Sequence, residues 1–180
     1  IDIIKSDLIL DCTDNLKTRF LINDFAIKNS IPWIYSAAVK DRCSLLNIIP
    51  NKTPCFRCIF PITKDLENCE TDGIDNEVAL FIAKLQSDQA LKILENKNYE
   101  TDLIHYSLKD NLLIKTKINK NKNCFTCNNN FTFLQEKPKY IIQLCEGKTS
   151  YKIIPENKIN IDFNKIKNKF DILIENNTNI

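Results

Sequence analysis

The sequence predicts an α/β fold carrying a four-cysteine zinc site, on three observations. Residues 7–12 (Asp-Leu-Ile-Leu-Asp-Cys) are a short apolar run, as expected of a strand buried on both faces of a parallel sheet. Thr13, Asp14 and Asn15 follow at once, residue types that start helices, and residues 32–39 read as the next strand. Residues 7–39 therefore form a strand–helix–strand unit. The third observation is a pair of CxxC loops, Cys55 with Cys58 and Cys124 with Cys127. Each loop can turn two thiolates toward one point, and two loops complete the tetrahedral cage that zinc takes in structural sites.

The remaining elements follow in order. The first helix runs to about residue 29 with Leu16, Phe20 and Ile27 on one face, and Ser30 and Pro32 end it. Residues 43–49 read as a strand that stops at Pro50 and the first cysteine loop, and residues 61–74 as a loop carrying Cys69. Asp75, Asn76 and Glu77 open a helix to about residue 95, with acidic groups at its positive end. Residues 78–83 are apolar on all sides, so this helix is expected to be buried at its start. Strands are expected at 102–108 and 112–118, turning at Lys109-Asp110-Asn111, before a lysine- and asparagine-rich loop at 116–123. Asn128-Asn129-Asn130 reads as a linker. Beyond it residues 139–144 and 151–154 read as strands, 162–169 as a weak helix and 170–174 as a last strand. This gives two parts, residues 1–130 and a small α+β extension at 131–180.

Composition excludes several classes. Hydrophobic residues at 43% and charged residues at 27% suit a packed core rather than a disordered chain. A net charge of +2 gives no basis for nucleic acid as the main partner or for an anionic membrane surface. No apolar run approaches the roughly 20 residues of a membrane span, and no signal-peptide pattern opens the chain. Cys12, Cys43, Cys69 and Cys145 are scattered singly, which reads as a reducing, cytoplasmic compartment. Methionine is absent even from position 1, so the chain is expected to begin inside a longer protein. The only glycines are Gly73 and Gly147, so residues 1–180 hold no glycine-rich phosphate loop.

Two alternatives compete for the cysteine pairs. A redox dithiol would need a thioredoxin-like setting that neither pair has. A nucleic-acid zinc ribbon would bring its CxxC loops much closer in sequence and carry more positive charge.

Asp14 is the first candidate for chemistry, just beyond the carboxyl end of a parallel strand, where open α/β sheets place ligands. A plain helix N-cap is the competing reading. Cys69 is the second candidate, a thiol six residues before a helix start. Asp65, Glu67, Glu70 and Asp72 crowd it with negative charge, which would raise its pKa. Cys12 reads as a small hydrophobe inside a buried strand, and Cys43 and Cys145 have no partner motif. His105, the sole histidine, reads as an ordinary residue of an alternating strand. Lys115, Lys117, Lys120 and Lys122 read as a solvated loop, with docking of an acidic partner as the alternative.

Leu10-Asp11-Cys12-Thr13-Asp14-Asn15, then Arg19, then Leu21-Ile22-Asn23, resembles the central motif of the ThiF/MoeB adenylyltransferases, relatives of ubiquitin-activating enzymes. Pro54-Cys55-Phe56-Arg57-Cys58 followed by Phe60-Pro61 resembles their first zinc loop, Asn68-Cys69 their cysteine loop, and Cys124 with Cys127 their second zinc pair. Order and rough spacing agree from residue 1 to about 130. The resemblance implies the C-terminal part of a Rossmann-like adenylation domain that activates a ubiquitin-like sulfur-carrier protein in thiamin, molybdopterin or related sulfur transfer.

It further implies that Asp14 helps hold magnesium on ATP while the carrier's C-terminal carboxylate attacks the α-phosphate. Asn15 belongs to the same nucleotide motif, and Arg19 is expected to be a local structural tie. Cys69 matches a cysteine that in some members receives sulfur or links covalently to the carrier. Mg-ATP and structural zinc are the implied cofactors, and a homodimer is implied for the full-length form. The family's glycine-rich loop, ribose-binding acid and phosphate-binding Arg and Lys precede this motif, so residues 1–180 alone are expected to be inactive. Where the family runs through several glycines from this cysteine into the next helix, only Gly73 stands here, and Ala37-Ala38-Val39-Lys40-Asp41-Arg42 replaces a glycine-containing stretch. A zinc-stabilised scaffold that kept the fold and lost catalysis is the alternative, and a glycine-rich loop upstream in the gene would favour the enzyme. Gln143-Leu144-Cys145 with residues 151–155 resembles a C-terminal extension of some members.

Overall fold

The computed structural model describes residues 6–60, 73–135, 141–143 and 151–153. Cys69 and Cys145, the expected helix at 162–169 and the expected strand at 170–174 lie outside the described residues. Contacts divide the chain into Ile1–Lys137 and Pro138–Ile180. Within the second unit, β6 (Ile141–Gln143) and β7 (Tyr151–Ile153) pair antiparallel.

The first unit holds a five-stranded sheet in the order β1 (Ile9–Leu10), β2 (Trp33–Val39), β3 (Arg42–Ile48), β4 (Leu103–Ser107), β5 (Leu112–Thr116). β1 and β2 are parallel and joined through α1 (Leu16–Lys28), which is the expected strand–helix–strand unit. The other pairings are all antiparallel, so the sheet is mixed. β2 turns into β3 through Lys40 and Asp41. Lys40 takes φ 53°, a left-handed conformation that glycine adopts with less strain.

Side chains alternate along β2 and divide the core in two. Trp33 and Tyr35, with Leu46 and Ile48 of β3, pack with Phe20 and Ala26 of α1 and with Phe56, Cys55, Cys124 and Phe133. Ile34 and Leu45 pack on the other side with Val78, Ile82 and Ala90 of α3 (Asn76–Leu94). Buried apolar surface of this kind is the main stabilising term, worth about 25 cal/mol per Å².

Three expectations need correction. The 7–12 run is not buried on both faces: Leu10 is 45% exposed, Cys12 is exposed, and strand pairing is confined to Ile9–Leu10. Among the described residues β1 is an edge strand that pairs only with β2, which leaves one side uncovered. α3 is not buried all round at its start either, because Leu80 is 72% exposed beside the buried Val78 and Ile82. The helix lies on one sheet face, and that face selects a 3.6-residue stripe from a uniformly apolar run. Asn128-Asn129-Asn130 does not act as a linker. Asn128 Nδ2 donates to the Cys124 carbonyl at 2.8 Å, Asn129 takes φ 62°, and Phe133 beyond them is buried in the first core. Asparagine suits such a turn because its amide pairs with nearby backbone and it tolerates positive φ.

Candidate metal centre and the Asp14 turn

The first cysteine loop is built by the end of β3. Thr53 Oγ1 accepts the Ile49 N–H at 2.8 Å and donates to the Asn47 carbonyl at 3.2 Å, folding the chain back after Pro50. Cys55 then precedes the short helix α2 (Phe56–Ile59), and the Cys58 N–H bonds to the Cys55 carbonyl at 3.0 Å, so both sulfurs face one side. Phe56, between them, is fully buried against Phe20, Trp33 and Tyr35, with ring centroids 5.1, 5.8 and 4.9 Å away. The second loop is a turn in which the Asn128 N–H returns to the Cys124 carbonyl at 3.1 Å, followed by α4 (Thr132–Gln135).

The two loops meet. Sγ of Cys55 lies 3.8 Å from Cys58, 3.5 Å from Cys124 and 3.5 Å from Cys127, and Cys58 lies 3.6 Å from Cys127. All four sulfurs fall within 4.8 Å of one another. A tetrahedron with metal–sulfur bonds of about 2.3 Å has edges of about 3.8 Å, so these residues could hold one metal ion. Four sulfurs this close shift one another's thiols in opposite directions. Hydrogen bonds from Cys124, Cys127 and Cys55 hold the Cys58 thiol low, and those from Cys127 and Cys55 bring Cys124 to about 7. Hydrogen bonding with Cys124 pushes Cys55 and Cys127 up.

Asp14 lies past the carboxyl end of β1 and is exposed. It is not the helix cap. Asn15 Oδ1 accepts the Thr18 N–H at 2.8 Å, and Asn15 Nδ2 reaches Asp14 Oδ1 at 3.3 Å. Below this turn Asp11 is fully buried, accepting from Thr13 N–H at 2.9 Å, Thr13 Oγ1 at 2.7 Å and Arg19 Nε at 2.9 Å. Arg19 also donates through Nη2 to the carbonyls of Thr13 and Ser36, and its guanidinium sits 5.2 Å from the centre of the Tyr35 ring. Arg19 is therefore the expected structural tie. Its charge lowers the Tyr35 pKa, but burial is the larger effect and the phenol ends above its ordinary value. From α3, Gln86 Nε2 donates to the Asp11 carbonyl at 3.0 Å.

Several residues that build the site escape a reading by sequence pattern. Asp11, Asn23 and Asp24 are fully buried, and each is polar where periodicity favours apolar residues. The available signals were an acid ending an apolar run with an arginine eight residues on, and an Asn-Asp step inside a helix. The other single residues behave modestly. His105 Nδ1 pairs with Ser44 Oγ across β3 and β4 at 2.8 Å. Burial pushes the Cys43 thiol up to about 11. Lys115 pairs with Glu100 at 2.6 Å, and Lys120 donates to the Asn51 carbonyl.

Known proteins resemble this chain in sequence and in fold. The ThiF family model matches residues 2–128. The sulfur carrier protein ThiS adenylyltransferase of Bacillus subtilis is 34% identical over 106 residues, 57% of this chain and 31% of that protein. The SAMP-activating enzyme E1 of Haloferax volcanii is 28% identical over 127 residues, 68% of this chain and 47% of that protein. E. coli MccB, solved with ATP, shares the fold at a TM-score of 0.59 and 14% identity, over 70% of this chain and 41% of that one. The chain thus spans less than half the length of these relatives. On the match across residues 2–128, it belongs to the ThiF family.

Proposed function

We propose that residues 1–180 form the metal-binding and magnesium-side part of an enzyme that adenylylates the C-terminal carboxylate of a ubiquitin-like sulfur-carrier protein in the cytoplasm. One observation carries the reading. Asp14 offers an exposed carboxylate at the carboxyl end of a parallel strand, and Asn15 has taken over the capping that would otherwise occupy it. The Asp11–Arg19 pair and the Ser36 carbonyl brace the turn, so Asp14 is held by a buried network. A single braced carboxylate is a common protein share of a magnesium site, the other ligands being phosphate oxygens and water. When bound, Mg-ATP would supply the α-phosphate that the carrier carboxylate attacks, with pyrophosphate leaving.

The cage of Cys55, Cys58, Cys124 and Cys127 suits structural zinc, because four thiolates with tetrahedral spacing close the coordination sphere and leave no open position. Cys69 is the proposed thiol that displaces AMP from the activated carrier to form a thioester. With only two glycines, the chain leaves the phosphate-cradling amides to residues outside 1–180.

The test is carrier-dependent ATP–pyrophosphate exchange by the protein that contains this chain. Asp14→Ala is expected to abolish exchange with the fold intact, and undiminished exchange would remove Asp14 from the mechanism. Cys69→Ser is expected to keep exchange and lose a hydroxylamine-sensitive carrier conjugate. A wild-type protein that binds a carrier without exchange would support the scaffold reading.

A further inference from the structure

Helix α1 touches both parts of the candidate site. Its start carries Asn15 and Arg19, which fix the Asp14 turn. One turn later, Asn23 Oδ1 accepts the backbone N–H of Phe56 at 3.0 Å, between Cys55 and Cys58. Asp24 accepts the Thr126 hydroxyl at 2.5 Å, between Cys124 and Cys127, and the Phe133 N–H at 3.0 Å. Asn23, Asp24 and Thr126 are all fully buried. Neither Asn nor Asp favours a helix interior, and a buried carboxylate is strongly unfavourable unless donors satisfy it. These side chains therefore answer to the loops rather than to the helix.

We propose that Asn23 and Asp24 are positioning residues for the metal centre, and that through them α1 couples metal binding to ordering of the Asp14 turn. The inference rests on the reading of the four cysteines as a metal site and of Asp14 as the nucleotide-side carboxylate. Two adjacent helix positions each grip one cysteine loop. A metal that draws the loops together also clamps the middle of α1, and the clamped helix holds Asn15 and Arg19 upstream. Binding energy shared in this way is reciprocal: whatever orders the helix also tightens the metal site.

Cobalt(II) titration of the full chain reports the site through thiolate and ligand-field absorption, and zinc competition gives the affinity. Thr126→Val keeps the side-chain shape and removes the hydroxyl. It is expected to weaken zinc binding about tenfold with an unchanged cobalt spectrum, because Asp24 loses its hold on the second cysteine loop while all four thiolates remain. Thr126→Ser is expected to restore it. In the wild-type chain, zinc is expected to slow hydrogen exchange at residues 18–20 as well as in both cysteine loops. Equal zinc affinity in Thr126→Val, or slowing confined to the loops, would overturn the coupling. The exchange measurement needs no variant, so it decides the matter even where Thr126→Val fails to fold. Absence of cobalt binding by the wild-type chain would instead overturn the metal reading, and this inference with it.

Discussion

Asp14 and Asn15 divide two tasks that either residue could perform alone. Asn15 bonds to Thr18 N–H, and Asp14, next to it, stays exposed. The division can be tested by stability. Asn15→Ala is expected to cost about 1 kcal/mol in a urea titration, the usual worth of an N-cap. Asp14→Ala is expected to stay within about 0.5 kcal/mol, as for a surface position away from special features. Equal losses would return Asp14 to the capping role. At this scale the sequence is legible where residue type and spacing announce a cluster, as for the four cysteines. It is less legible for Asp11 and Asp24, whose partners Arg19 and Thr126 lie 8 and 102 residues away. Only the folded chain brings those donors within reach of a buried carboxylate.

Among the elements, α1 shows why hydrophobic pattern alone falls short. Phe20 and Ala26 of its inner face are buried as an amphipathic helix requires, yet Arg19, Asn23 and Asp24 are buried beside them. The helix packs against loops whose backbone donors need acceptors, so its buried face is partly polar. α3 shows the converse, since an unbroken apolar run could not reveal that Leu80 points away from the sheet. The hairpin of β4 and β5 was legible because Lys109-Asp110-Asn111 marks a turn between two β-type runs. Phe56 joins the first cysteine loop to the sheet core, so Phe56→Ala is expected to destabilise the chain by about 3–5 kcal/mol. Chemical denaturation of the chain measures this, and a loss under about 1 kcal/mol would mean that Phe56 packing does not hold the loop.

For the whole molecule, the strand–helix–strand unit and the paired cysteine loops were readable, whereas the mixed sheet was not. Whether neighbouring strands run parallel depends on pairings that local sequence does not encode. The composition makes its own prediction. Residues 1–180 have two glycines and no glycine-rich loop, so calorimetric titration of this chain with Mg-ATP is expected to show no micromolar binding. Micromolar binding would reveal a nucleotide site of another kind. The central claim is that one metal centre joins loops separated by the strands and helix between Cys58 and Cys124. Zinc-edge X-ray absorption on the purified chain tests it most directly. The expected result is one zinc per chain with four sulfurs at about 2.3 Å. A shell containing nitrogen or oxygen ligands, or a folded chain that takes up no zinc, would contradict it.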